Sequence, residues 1–189
     1  MTSELKTIQQ LLKEKSVPEA VGAYKKFVPG NMKIYGVRTP ELNELSKQFK
    51  AGGFDLIKTL WDAGALEEKI LAVKILQKIA KQDAAISLQL VQYFAPGIDN
   101  WAVCDAVGMQ ALQSITKTHA KEIFALAKKY NRSSNLWERR LSLVLVEWYT
   151  RDKTWHEEIK KLIAPLENDS EYYVKKAVVW INKNFAKGK

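Results

Sequence analysis

Apolar residues recur along nearly the whole chain at a spacing close to 3.6 residues, and no long stretch alternates with a period of two. This pattern predicts an all-α protein. Pro18 begins one predicted helix, Pro29 and Gly30 end it, and Thr39 is the predicted N-cap of the next, with Pro40 at its first helical position. Further helices are predicted over residues 54–62, 66–81, 83–94, 100–116, 120–130, 136–150, 155–166 and 171–185. The short connections between them favour antiparallel neighbours.

Aromatic residues near the starts of three of these helices are evenly spaced. Trp101, Trp137 and Tyr173 are 36 residues apart each time, and each comes within two residues of a polar residue at a predicted helix start, namely Asn100, Asn135 and Glu171. A repeat of this length, built from helix pairs, is typical of HEAT-like or armadillo-like α-solenoids. We therefore expect one domain over residues 1–189, curved, with equivalent helices lining its concave face. The alternative is an irregular helical bundle in which the spacing is a coincidence.

Composition and charge indicate a folded protein with an anionic partner. The 189 residues are 47% hydrophobic, and 30 Lys and Arg against 21 Asp and Glu give a net charge of +9. The basic residues are dispersed along the helices, which favours a basic concave face and nucleic acid over a membrane surface. A single cysteine, no signal-peptide pattern and no apolar run of bilayer length lead us to expect a cytoplasmic monomer.

Conventional catalytic and metal-binding motifs are missing from the sequence. It contains no GxGxxG, GxxxxGK[ST], GxSxG, HExxH or CxxC pattern. His119 and His156 are the only histidines, and we expect them at the surface or at helix ends. Cys104 lies in an apolar segment and is expected to be a small buried thiol. No metal and no cofactor is expected.

One predicted face combines aromatic, acidic and basic side chains. Trp101 and Asp105 are four residues apart and share a helix face. The two later helices of the repeat add further aromatics and cations, namely Trp137, Arg139, Arg140, Tyr173, Lys176, Trp180 and Lys183. The alternative is that Trp101 belongs to the core and Asp105 is a solvated charge. The recurrence favours a shared face suited to a polyanion that carries one cationic centre.

These residues resemble the AlkD-type DNA alkylation repair glycosylases, a family built from HEAT-like repeats. The resemblance runs from about residue 24 to the C-terminus. It rests on YGVRTPEL at residues 35–42, Trp101-x-x-x-Asp105, NLWERR at residues 135–140 and YVKKAVVW at residues 173–180. It implies a monofunctional glycosylase that excises cationic alkylpurines, such as 7-methylguanine and 3-methyladenine, from duplex DNA in base excision repair.

The resemblance also implies roles for individual residues. The family's Trp and Asp that flank the deoxyribose of the lesion match Trp101 and Asp105, and the supporting Arg of the next repeat matches Arg140. A second lesion-side Trp matches Trp180, and an N-terminal Tyr matches Tyr24, although Tyr24 lies further from the next motif than is usual. Candidate phosphate contacts are Arg139, Arg140, Lys175, Lys176 and Lys183.

The implied chemistry suits a site without a histidine. An alkylpurine that already carries positive charge leaves as a neutral base, so no general acid is needed. A carboxylate such as that of Asp105 stabilises the oxocarbenium-like sugar and positions or deprotonates the attacking water.

Two departures from the family pattern leave other functions open. Asn100 stands where some relatives carry a second aromatic residue, and the chain ends at Lys189, soon after Trp180, where longer members carry further helices. The first alternative is a non-catalytic HEAT-repeat protein that binds damaged or branched DNA. The second is a scaffold that holds a peptide in its concave face.

Overall fold

Helices account for the architecture of the computed structural model, which describes residues 3–187. Within that range there is no β-strand. The α-helices are α1 (Ser3–Glu14), α2 (Pro18–Phe27), α3 (Thr39–Gln48), α4 (Gly53–Ala63), α5 (Leu66–Ile79), α6 (Ala84–Phe94), α7 (Trp101–Ala106), α8 (Ala120–Asn131), α9 (Leu136–Val144), α10 (His156–Ile163) and α11 (Tyr172–Lys187). No helix in the described range is long and apolar enough to span a membrane.

The helices pack in two layers. In the first layer α3, α5, α7, α9 and α11 lie side by side in that order, and in the second α1, α4, α6, α8 and α10 do the same. The layers meet where α4 packs on α5 and α8 packs on α9. Helices stacked against their chain neighbours in this way form an α-solenoid, which confirms the predicted fold class.

The core lies between the two layers. α5 is its most deeply buried helix, with Leu71, Ile75 and Leu76 fully enclosed. In the second layer the rings of Trp61 and Phe94 stack with their centroids 4.1 Å apart. Removing an aromatic side chain as buried as that of Phe94 costs about 3–5 kcal/mol of stability, so this stacking is a substantial part of the packing between α4 and α6.

Two of the longer predicted helices are wrong in their extent. α7 ends at Ala106 and continues as a π-helix over Val107–Ala111. The π-helical segment lies close against α9, since a Cβ on Gly108 would lie 2.5 Å from Val144 Cγ1. α9 likewise ends at Val144, and a 3₁₀ helix follows over Glu147–Arg151.

The predicted caps are confirmed in part. Asn100 and Asn135 accept hydrogen bonds from the backbone N–H groups of Val103 and Trp137 at 3.0 and 2.9 Å. The N-cap assigned to Thr39 is wrong, because Arg38 occupies that position of α3 with an extended backbone. The Arg38 carbonyl accepts the first helical N–H groups, so the helix begins one residue earlier than predicted.

Candidate functional site

The first-layer helices α7, α9 and α11 bring their N-terminal turns together. Asn100 and Asn135 cap α7 and α9, which places Trp101 at the first helical position of α7 and Trp137 at the second of α9. The Trp137 and Tyr173 rings lie 5.0 Å apart, so the aromatic series continues from α9 to α11. The interval between Trp137 and Tyr173 therefore corresponds to a direct contact at equivalent positions of α9 and α11, whereas Trp101 is placed one position earlier in α7.

Asp105 and Arg140 form the charged centre of this region. Arg140 Nε donates to Asp105 Oδ1 at 3.0 Å, and Nη2 donates to Oδ2 at 2.9 Å. This is the two-point geometry in which a guanidinium holds a carboxylate most firmly. The Arg140 side chain is 9% exposed and that of Asp105 is 30% exposed, so Arg140 is buried and Asp105 lies at the border between the interior and solvent.

Arg140 also connects α9 to α11. Its Nη1 donates to the backbone carbonyl of Tyr173 at 2.7 Å. A single guanidinium therefore binds α7 through Asp105 and α11 through Tyr173. We infer that Arg140 fixes the carboxylate relative to the aromatic residues of all three helices.

The surroundings of Asp105 alter two pKa values. Burial raises the pKa of the Asp105 carboxyl above its ordinary value, and the Arg140 guanidinium partly offsets that rise. Burial raises the pKa of the neighbouring Cys104 thiol well above its ordinary value. Cys104 therefore stays protonated, and its Sγ donates to the Trp137 carbonyl at 3.6 Å. The expectation of a small buried thiol is confirmed.

Trp101 is held by α2 rather than enclosed in the core. Its half-buried indole donates from Nε1 to the Phe27 carbonyl at 2.8 Å. The Phe27 ring is 62% exposed, and Lys26 Nζ lies 5.3 Å from its centroid. Phe27 is not among the residues predicted for the site. The available signal is a large apolar residue at the C-terminal end of a helix that has no fully buried position.

A buried carboxylate positions α2 for this contact. Glu67 is fully buried on α5 and accepts backbone N–H groups from Tyr35, Gly36 and Val37 at 2.9, 2.7 and 3.1 Å. Gly36 has φ +84°, and a Cβ there would lie 2.3 Å from Val21 Cγ2 on α2. The first motif of the family resemblance is thus the loop that seats α2. Glu67 is also not among the predicted site residues, because in the sequence it resembles an ordinary acidic residue in the first turn of a helix.

Tyr24 contacts this same loop. Its hydroxyl donates to the Val37 carbonyl at 3.3 Å, and burial raises its pKa. Within residues 3–187 it forms no hydrogen bond or ring contact with Trp101, Asp105 or Arg140. The structure therefore connects Tyr24 to the placement of α2.

The remaining predicted site residues lie on α9 and α11. Trp180 is half-buried and packs against the core seven residues after Tyr173. Lys175, Lys176 and Lys183 are exposed on α11, and Lys176 Nζ lies 5.4 Å from the ring centroid of Tyr172.

Arg139 is directed away from Asp105. Its Nε and Nη2 donate to Asp169 at 2.7 and 3.2 Å, and its Nη1 donates to the carbonyls of Ser133 and Ser134 at 3.0 Å. These bonds hold the loop between α8 and α9 against the segment that precedes α11. Most of its donors are therefore occupied within the protein.

Neither histidine lies among these residues. His119 occupies the N-cap position of α8 and His156 begins α10, which confirms that both are at helix ends. In the part of the chain that the structure describes, no group of three or more His, Cys, Asp and Glu side chains is arranged to hold a metal ion.

Comparisons with known proteins identify the family of the chain and a solved structure with a similar fold. The family model described as DNA alkylation repair enzyme matches residues 8–189. A solved structure described as a predicted DNA alkylation repair enzyme from Enterococcus faecalis matches 92% of this chain and 84% of its own, with a TM-score of 0.76 and 20% sequence identity. At that identity the structural match establishes the fold. None of the curated proteins compared with the chain matches it.

Proposed function

The chain belongs to the family of DNA alkylation repair enzymes, and from this premise we propose that it is a monofunctional DNA glycosylase. Its substrates are cationic alkylpurines, such as 7-methylguanine and 3-methyladenine, in duplex DNA. The observation that carries the proposal is the Asp105 carboxylate, which Arg140 holds at two points while the side chain remains 30% exposed. Half-buried Trp101 lies one turn away on the same helix.

The reaction breaks the bond between C1′ of the deoxyribose and the alkylated purine. The bonding electrons leave with the base, which departs neutral, and positive charge develops on the sugar. At about 4 Å and an effective dielectric constant near 20, the Asp105 carboxylate stabilises such a charge by roughly 4 kcal/mol before desolvation is subtracted. Because the carboxylate is already oriented by Arg140, little reorganisation is required in the transition state.

Water completes the hydrolysis at C1′. Each Asp105 oxygen accepts one hydrogen bond from Arg140 and keeps a lone pair for a water molecule. The raised pKa of Asp105 makes it a better base for the proton that this water releases. The departing base needs no proton, so the positions of His119 and His156 at distant helix ends are consistent with the mechanism.

The aromatic and basic side chains bind and orient the DNA. Trp101 and Trp180 supply flat surfaces against the sugar and backbone at the lesion, and the exposed ring of Phe27 extends this surface. Lys175, Lys176 and Lys183 contact phosphates along α11 in this proposal. Arg140 positions Asp105, whereas Arg139 acts mainly through the loop that it closes.

Replacing Asp105 tests the catalytic role. We expect Asp105→Asn to lower the release of 7-methylguanine from methylated duplex DNA by roughly a hundredfold or more, while DNA binding is retained. Asp55→Asn is the matched control, because Asp55 is an exposed aspartate on α4. Equal release by wild type and Asp105→Asn would assign the carboxylate to structure alone.

A non-catalytic DNA-binding protein is the second candidate. The observation in its favour is that Arg140 already occupies both oxygens of Asp105, as in an ordinary structural ion pair. Such a protein binds duplex DNA and releases no base, and its Asp105→Asn variant binds DNA as well as or better than wild type.

A further inference from the structure

A basic cavity of about 560 Å³ opens where the C-terminal ends of α8 and α10 lie side by side in the second layer. It is lined by Lys128, Lys129, Asn131, Arg132, Lys161, Leu162 and Pro165. Four of these seven residues are cationic and none is acidic. The cavity is separate from the Asp105–Arg140 pair, which lies on first-layer helices.

The charges around this cavity are only partly neutralised. The Glu158 carboxylate forms ion pairs with Lys128 Nζ and Lys161 Nζ, each at 2.7 Å. These two lysines lower the pKa of Glu158 to about 2. Lys129 Nζ donates to Gln92 Oε1, a neutral group, at 3.2 Å. With one carboxylate for four cations, the cavity keeps a net charge of about +3 at neutral pH.

Arg132 is the cation of this group that is free to bind a ligand. It is exposed, and its side chain forms no ion pair or hydrogen bond with any residue in the described range. The helix dipole accounts for lysines in the last turn of α8. The helix dipole does not account for an unpaired arginine beside a cavity lined with other cations. The planar guanidinium of an unpaired arginine matches the geometry of a phosphate group.

The cavity lies within reach of a duplex bound at the proposed site. Arg132 is five residues before Trp137 in the chain, and five residues span at most about 18 Å. That length corresponds to about five base pairs at the rise of one strand of duplex DNA. A strand that runs from the lesion across the start of α9 towards the end of α8 would therefore reach Arg132 within about five base pairs.

We propose that this cavity binds a backbone phosphate of the DNA that flanks the lesion, with Arg132 and Lys129 as its main contacts. The inference rests on the proposed function, because it needs duplex DNA at the first-layer helices. The contact extends the binding surface from the first layer to the second and adds affinity without contacting the reacting sugar.

Salt-dependent DNA binding tests the proposal. A 25-base-pair duplex with one central 7-methylguanine is titrated with wild type, Arg132→Gln and Lys129→Gln at several salt concentrations. One lost phosphate contact lowers the slope of log K against log salt by about 0.9, which is about eightfold in affinity at 0.1 M salt. Lys13→Gln is the matched control, because Lys13 is an exposed cation on α1 at the other end of the solenoid.

A second readout separates this inference from the glycosylase proposal. At saturating protein the single-turnover release of 7-methylguanine should be the same for wild type and Arg132→Gln. If Arg132→Gln binds DNA with the wild-type slope and affinity, the inference is overturned, whether or not the protein releases the base. If the slope falls as expected but no base is released, the glycosylase proposal fails and the inference stands.

The phosphate bound in the cavity could belong to a small anion instead of DNA. Titration with pyrophosphate distinguishes these two sources. Pyrophosphate binding that Arg132→Gln abolishes, together with unchanged DNA binding, would identify a small-anion site and overturn the DNA contact. Pyrophosphate that competes with DNA in wild type but not in Arg132→Gln would support the proposal.

Discussion

Arg140 holds three helices in place through one guanidinium, so its removal is the most informative structural perturbation. Arg140→Gln loses two bonds to Asp105 and one to the Tyr173 carbonyl. Removing one partner of a buried ion pair costs about 3–5 kcal/mol. Because Asp105 is 30% exposed and keeps some contact with water, we expect a loss of about 2–4 kcal/mol in the free energy of unfolding.

The loss of stability in Arg140→Gln should depend on pH. Burial holds the pKa of Asp105 above its ordinary value even with Arg140 present, and Arg140 opposes that rise. Without Arg140 the pKa rises further, so the folded variant binds the Asp105 proton more tightly than the unfolded chain does. The free energy of unfolding of the variant then decreases as the pH rises from the pKa of Asp105 in the unfolded chain to its higher pKa in the folded variant. The difference from wild type should be larger at pH 7 than at pH 4.

Urea unfolding at several pH values measures this difference. The double variant Arg140→Gln with Asp105→Asn serves as the control, because it removes the unpaired carboxylate. We expect it to be more stable at pH 7 than Arg140→Gln alone. A penalty for Arg140→Gln that is independent of pH and unchanged by the second substitution would refute the coupling between the two residues.

Three further predictions concern residues around the pair. Glu67→Gln places an amide donor against one of three backbone N–H groups, and urea unfolding should show a loss of about 1–3 kcal/mol; an unchanged midpoint would mean that the loop is held by other contacts. Phe27→Ala should change stability by less than about 0.5 kcal/mol, because the ring is exposed, and should weaken binding to methylated duplex in a fluorescence titration. Trp180→Ala should impair 7-methylguanine release more than it lowers the thermal transition, and loss of that transition would make Trp180 a core residue.

The overall fold could be predicted because its signals are local and repeated. Apolar residues at helical spacing identify each helix, and the constant interval between Trp101, Trp137 and Tyr173 reports how neighbouring helices align. The breaks in α7 and α9 could not be predicted in the same way. Both lie in apolar segments whose helical spacing continues through the break, and at Gly108 the backbone approaches Val144, a residue distant in the sequence.

The candidate site was predictable only to the level of single helix faces. Arg139 and Arg140 are adjacent and chemically identical, yet about 100° of helical rotation separates them, so one meets Asp169 and the other meets Asp105. Glu67 could not be predicted for a different reason. Its side chain is buried because three N–H groups from a distant loop surround it, and no local pattern indicates that loop.

Release of free 7-methylguanine by the wild-type protein is the measurement that tests the central claim most directly. A duplex with a single 7-methylguanine is incubated with excess protein, and the free base is quantified over time against a sample without protein. We predict release well above the spontaneous rate, with the strand left intact at the abasic site. Release at the spontaneous rate from folded protein that binds the duplex would contradict the glycosylase assignment.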